Sequence, residues 1–216
     1  MNRNSGFTLA ETLITLSIIG VIAAITIPTL VKNNEAAQLK TGFWVANSIM
    51  KNTEGALSSQ GIILSELSVD EIASNFKSTS SKEIQYSKNT YRTYLGTREA
   101  SGAAASRLVG MFTLKNSMTG LIIRPSKGFP PDTMTLIGID INGFDKKPNR
   151  YGHDVFFWYQ SPETNQIYIT GSPQAKKELN SYHNSCNLKT DTCHENGIGC
   201  GINAINDINY FKNLPK

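Results

Sequence analysis

Few side chains in this chain of 216 residues have types and spacings that could do chemistry. His153, His183 and His194 share no pattern with a Ser or Cys nucleophile, and there is no H-E-x-x-H pair and no Gly-rich phosphate loop. Cys186, Cys193 and Cys200 recur every seven residues, whereas zinc sites draw on close C-x-x-C pairs. Asp140-Ile141-Asn142-Gly143-Phe144-Asp145 places oxygen atoms at short spacing around a turn, which suits calcium with Asp140, Asn142 and Asp145 as ligands. A complete EF-hand loop would carry an acid at its twelfth position, and here that position is Tyr151. The other reading is a turn in which Asp and Asn cap backbone amides and Gly143 takes a positive φ. Lastly, a lone acid, Glu11, heads a run from Thr12 to Val31 that contains no charge. A carboxylate in hydrocarbon is costly enough to imply a function, the plainer reading being an interfacial Glu that reaches headgroup water.

These groups must be positioned by something. About 20 apolar residues are enough for a helix to cross roughly 30 Å of hydrocarbon, and the run after Glu11 is that long. A secretory signal would have a shorter core followed by a small-residue cleavage site, and Ile25-Thr26-Ile27-Pro28 is not one. Pro28 removes a backbone donor, which membrane helices tolerate. Beyond Val31, Leu39, Phe43, Ala46, Ile49, Met50 and Leu57 keep a helical spacing. One helix is therefore expected from about Phe7 to about Ser58, ending at Gln60-Gly61. Ser68 and Glu71 form a capping box that starts a second helix, to about Phe76. From Lys77 to Ser106 the sequence predicts a long irregular excursion, with Tyr86, Tyr91 and Tyr94 as packing anchors. Strands are expected at Gly110 to Leu114, Gly120 to Arg124, Thr135 to Asp140, Val155 to Tyr159 and Gln166 to Thr170. A long helix followed by close-set hairpins gives an α+β fold, in which a membrane-spanning helix packs on a small antiparallel sheet.

Gly6-Phe7-Thr8-Leu9-Ala10-Glu11 resembles the prepilin cleavage and methylation motif of type IV pilins and type II secretion pseudopilins. The resemblance implies cleavage after Gly6 by prepilin peptidase and methylation of the new terminus at Phe7. It makes Glu11 the fifth mature residue, thought to pair with a neighbouring subunit's amine, and Pro28 the twenty-second. The divisions that follow are a leader at 1–6, a membrane and filament-core helix at 7–31, its amphipathic continuation at 32–58 and a pilin-like head at 59–216. The implied partners are the peptidase, other pilin or pseudopilin subunits, the inner-membrane assembly platform and, before assembly, the lipid bilayer. The head would lie in the periplasm or on an extracellular pilus. The segment Asp140 to Phe156 also resembles a stretch of some pilin-like proteins whose role there looks structural.

An exported head meets an oxidising compartment, which favours a disulfide among Cys186, Cys193 and Cys200. The turn-like Thr190-Asp191-Thr192 favours Cys186–Cys193 slightly, leaving Cys200 as a buried thiol. A net charge of +4, with basic residues clustered no further than Lys146-Lys147 and Lys176-Lys177, indicates no nucleic-acid surface. The expected function is a structural filament subunit, not an enzyme, needing no cofactor unless calcium. The alternatives are a minor or tip pilin whose head binds a surface, DNA or secreted cargo, and an enzyme or sensor head on a simple anchor.

Overall fold

The computed structural model describes residues 8–83, 91–100, 106–125, 134–191 and 193–215. The chain divides into two compact units, Met1–Gln38 and Leu39–Lys216. Helix α1, Leu9–Gln60, supplies the first unit and opens the second. It ends where Gly61 takes φ +65°. There Gly61 N–H donates to Ser58 O at 3.3 Å and Ile62 N–H to Leu57 O at 3.0 Å, a Schellman closure that satisfies the last carbonyls.

In the first unit the apolar side chains of Leu13, Ile14, Leu16, Ile18, Ile19, Val21, Ile22, Ile25, Ile27, Leu30 and Val31 are at least half exposed. The helix is long and apolar enough to cross a membrane, and none of its most apolar window is buried against protein.

The second unit is built on a six-stranded antiparallel meander in the order β1-β2-β3-β4-β5-β6. The strands are β1 Ser80–Glu83, β2 Ser106–Thr113, β3 Thr119–Pro125, β4 Leu136–Asp140, β5 Val155–Gln160 and β6 Ile167–Ile169. All five expected strands are present. The expectation of an irregular stretch from Lys77 to Ser106 is corrected at its start by β1, whose four residues are all exposed. No apolar alternation marks Ser80-Ser81-Lys82-Glu83; they are extended because they pair with Thr113, Phe112, Met111 and Gly110 on β2. The second helix, α2 (Val69–Asn75), has the expected capping box from Ser68 and Glu71.

Strands β4 and β5 are buried at every position, so both faces of the sheet centre are covered. Residues on a strand alternate between faces. Phe156 and Trp158 therefore meet α1, where the fully buried Phe43 lies 4.7 Å from the Phe156 ring, 6.2 Å from Trp158 and 5.7 Å from Phe211. Phe157 and Tyr159 face the other way, into a core with Tyr91, Tyr151, Leu121, Leu136, Ala175 and Ile198. Tyr91 and Tyr94 are thus the packing anchors expected of them, while Tyr86 lies outside the described residues. Gly138 leaves room for this second layer, since a Cβ there would stand 2.6 Å from the Phe157 ring. At the sheet's far edge the Glu54 carboxylate on α1 accepts from Ile167 N–H at 2.9 Å and pairs with Lys51 at 2.8 Å. A helix side chain therefore satisfies a β6 donor that no strand reaches.

Candidate functional site

At the start of α1, Thr8 and Glu11 close on each other. Thr8 N–H and Thr8 Oγ1 both donate to Glu11 Oε2, at 2.9 and 2.8 Å, and Glu11 N–H donates to Thr8 Oγ1 at 3.3 Å. This is a reciprocal capping box. Thr8 and Glu11 have the same three-residue spacing as Ser68 and Glu71, a capping signal that is legible in the sequence beside the more conspicuous charge of Glu11 in an apolar run. The acid also sits in the first helical turn, where the backbone dipole favours negative charge. The hydroxyls that follow, on Thr12, Thr15, Ser17, Thr26 and Thr29, donate back to carbonyls three or four residues earlier. Polar groups in the run are therefore satisfied within the helix, as hydrocarbon requires. Pro28 lies inside α1, which continues through it. Gly6 and Phe7, the expected cleavage and methylation pair, fall outside the described residues.

The apolar run from Thr12 to Val31 is thus headed by a single acid, Glu11. Residues 1–27 match the family model described as the prokaryotic N-terminal methylation motif. The chain carries the signal motif of type IV pilins and pseudopilins. The methylation motif spans residues 1–27, which include Glu11 and the apolar run to Ile27, with Pro28 immediately after it. It fits a membrane-anchored, prepilin-processed protein and marks a class that is structural rather than enzymatic. No match is found among curated proteins or solved structures.

Beyond the methylation motif, the loop from β4 to β5 holds two fully buried carboxylates, Asp140 and Asp154. Asp140 Oδ1 accepts from Gly143 N–H at 3.0 Å and Oδ2 from the Tyr91 hydroxyl at 3.1 Å. Asp154 accepts from Asn149 N–H at 2.8 Å, Arg150 N–H at 2.6 Å and the Asn142 amide at 3.4 Å. These are the bonds of the turn reading, and Gly143 has φ +87° as that reading requires. Asp145 is exposed, apart from the buried pair. Among the described residues no group of three or more His, Cys, Asp or Glu side chains is placed to hold a metal ion. Sequence reasoning left Asp154 out of the Asp140 site because the two meet only when the β4–β5 hairpin closes.

Burial and then the neighbouring Asp154 charge push Asp140 up to about 7, and burial pushes Asp154 up to about 6. A carboxyl raised on folding binds more protons in the native than in the unfolded chain, so its contribution to stability falls as pH rises from its unfolded value through its folded one. The half-buried His153, lowered to about 4 by burial and then by Arg150, and the buried His183, lowered to about 4 by burial, act with the opposite sign over about pH 4 to 6.5. The clean readout is thus a difference. Relative to wild type, Asp140→Asn should gain about 1–3 kcal/mol in denaturant unfolding between about pH 5 and pH 8. A difference that stays flat across that range would show that Asp140 is already ionised in the fold.

The cysteine expectation is corrected. Cys186 pairs with Cys200, and Cys193 is the half-buried thiol. Ser185 O accepts from both Gly197 and Gly199 N–H, each at 3.0 Å, which lays the Cys186 segment along the Cys200 turn. The short loop to Cys193 is instead organised by Asn187 and Asn196: Asn196 Oδ1 accepts from Asn187 N–H at 2.6 Å, and its amide donates to Asp191 at 2.7 Å. Cys200 is the N-cap residue of α4, Gly201–Asn206. With a separation of 14 residues, loss of the crosslink in Cys186→Ser should cost about 3 kcal/mol on the chain-entropy scale. Reductant should lower wild type by a similar amount and leave the variant unchanged.

Asp191 fastens this region to the excursion. Its carboxylate accepts from the hydroxyls of Thr93 and Thr97, both at 2.6 Å, and from Leu95 and Thr97 N–H at 3.2 and 3.1 Å. Burial alone would raise its pKa, but these donors and Asn196 hold it at about 2. No sequence pattern announced this residue.

Proposed function

We propose that the chain is a filament subunit of a type IV pilus or a type II secretion pseudopilus. It is inserted in the inner membrane through residues 7–31, cut after Gly6, methylated at Phe7 and assembled through its N-terminal helix. The observation that carries this reading is the methylation motif at residues 1–27, leading into a helix whose large apolar side chains from Leu9 to Val31 are at least half exposed among the described residues. Such a face needs lipid or other helices around it, and a filament core supplies the second once the subunit leaves the first. In this scheme the Glu11 carboxylate compensates a neighbour's terminal amine, and the heads tile the outside.

The test is the intact mass of the chain recovered from membranes of cells with and without prepilin peptidase. A chain beginning at Phe7 with one added methyl, present only when the peptidase is present, is the expected result. A full-length or differently cut chain in both strains would leave a plain membrane-anchored protein.

A further inference from the structure

Three cysteines meet in one region of the head, and the bond joins the outer two across the third. Cys200 is fully buried. It is sealed beneath Gly152, where a Cβ would stand 2.7 Å from Cys200 Cβ and 3.1 Å from its Sγ. Cys186 and Cys193 are only half-buried. A thiol is oxidised when its thiolate attacks a disulfide sulfur, so access decides which cysteine meets the oxidant. In this head that access belongs to Cys186 and Cys193 and not to Cys200.

Cys193 also lies against the segment that carries the bond. Its Sγ donates to Ser185 Oγ at 3.3 Å, on the residue that precedes Cys186. The Cys186 segment is itself held in place. Asn184 donates to Ala175 O at 3.0 Å on helix α3 (Pro173–Glu178), and Asn187 N–H donates to Asn196 Oδ1. Cys186 Sγ accepts from the Asn203 amide at 3.2 Å, a donor that favours thiolate character there when the bond is open. Cys186 and Cys193 are seven residues apart, against a separation of 14 for the observed pair. Loop-closure entropy alone makes the shorter loop about threefold easier to close in a flexible chain. The disulfide present is thus the harder one to reach, both for an oxidant and for the chain.

We propose that Cys193 is a relay thiol: Cys186–Cys193 closes first, and Cys200 then displaces Cys193 to give the final bond. The Cys193 thiolate attacks one sulfur of a disulfide donor, and the donor's other sulfur leaves as a thiolate. Cys186 attacks Cys193 Sγ, closing Cys186–Cys193 and expelling the second donor thiolate. Cys200 then attacks Cys186 Sγ, and Cys193 leaves as a thiolate that takes up a proton. Two cysteine thiols are oxidised, one donor disulfide is reduced to two thiols, and Cys193 ends as it began. The head therefore passes through a thiol–disulfide exchange with a donor and then an internal isomerisation before it is complete. This inference is independent of the filament reading, which the mass measurement tests separately.

The experiment uses the full chain in detergent micelles, reduced with dithiothreitol, freed of reductant and mixed with oxidised glutathione. Samples are trapped with N-ethylmaleimide at intervals and their disulfides mapped by peptide mass. Cys186–Cys193 is expected to rise and decay before Cys186–Cys200 is complete, with glutathione adducts on Cys193 preceding both. In Cys193→Ser the Cys186–Cys200 bond should form at least about threefold more slowly, the ratio set by the two loop lengths. Cys200→Ser should stop at Cys186–Cys193, which keeps the test open should Cys193→Ser not fold. A Cys193→Ser chain that closes Cys186–Cys200 at the wild-type rate would overturn the proposal. So would a wild-type or Cys200→Ser chain in which Cys186–Cys193 never forms, and Cys193 would then be an inert thiol.

Discussion

Glu11→Ala is expected to be inserted and processed normally but to be recovered in filaments at roughly a tenth of the wild-type level or less, the scale of losing one partner of a desolvated charge pair. The geometry at the helix start makes the choice of variant matter. Glu11 does two jobs that alanine removes together: it caps Thr8 through Oε2, and it carries a negative charge into the apolar segment. Glu11→Gln separates them, because an amide oxygen still accepts from Thr8 N–H and Oγ1 while the charge is gone. If the charge pairs with a neighbour's amine, the Gln variant fails to assemble as badly as the Ala variant. If the cap is what assembly needs, Gln assembles and Thr8→Val fails in its place. Wild-type recovery of both Glu11 variants would remove Glu11 from the assembly mechanism altogether. The readout is the filament fraction after shearing and sedimentation, with membrane levels of the processed chain as the control.

Phe43→Ala should be the most damaging single truncation in the head, lowering stability by about 3–5 kcal/mol. The ring is fully buried and is the meeting point of α1, β5 and the C-terminal turn, in contact with Phe156, Trp158 and Phe211. Removing it opens a cavity that three strand- and turn-borne rings cannot refill without leaving their own partners, so the site collapses poorly. Trp44, the next residue, is 44% exposed and provides the internal comparison. Trp44→Ala should cost under about 1 kcal/mol, as surface substitutions do. Urea unfolding of the full chain in micelles, followed by Trp158 fluorescence in a Trp44→Phe background, measures the Phe43 effect directly. A loss below about 1 kcal/mol would mean that α1 does not depend on this ring to dock.

Much of this architecture was legible where one local rule sufficed. Val155 to Tyr159 is a continuous run of large apolar residues, and burial on both faces of the sheet is what such a run means. The α1 stripe through Phe43, Ala46, Met50 and Leu57 followed from spacing alone, and each of these residues is buried. What stayed hidden depended on distant partners. Ser80–Glu83 is a strand only because β2 offers it an edge. Cys186 chose Cys200 over the sequence-nearer Cys193 because backbone bonds from Gly197 and Gly199 to Ser185 bring the two segments together. Asp154 meets Asp140, and Asp191 meets Thr93 and Thr97, only after the chain has folded back, so neither pairing leaves a trace in local spacing. Thr8 was a different kind of omission, since its spacing was plain and its meaning was masked by the residue it caps.

The fastening at Asp191 has a consequence for how this head can change over generations. Two of its donors are main-chain amides, at Leu95 and Thr97, which any residue but proline provides, and the hydroxyls of Thr93 and Thr97 could equally be those of serine. The bend from Thr93 to Arg98 is thus anchored by the course of its backbone more than by its letters. Side chains pointing outward from that bend are free to drift so long as one carboxylate stays in place beneath them. The surface of that bend can therefore be rewritten without refolding the backbone beneath it.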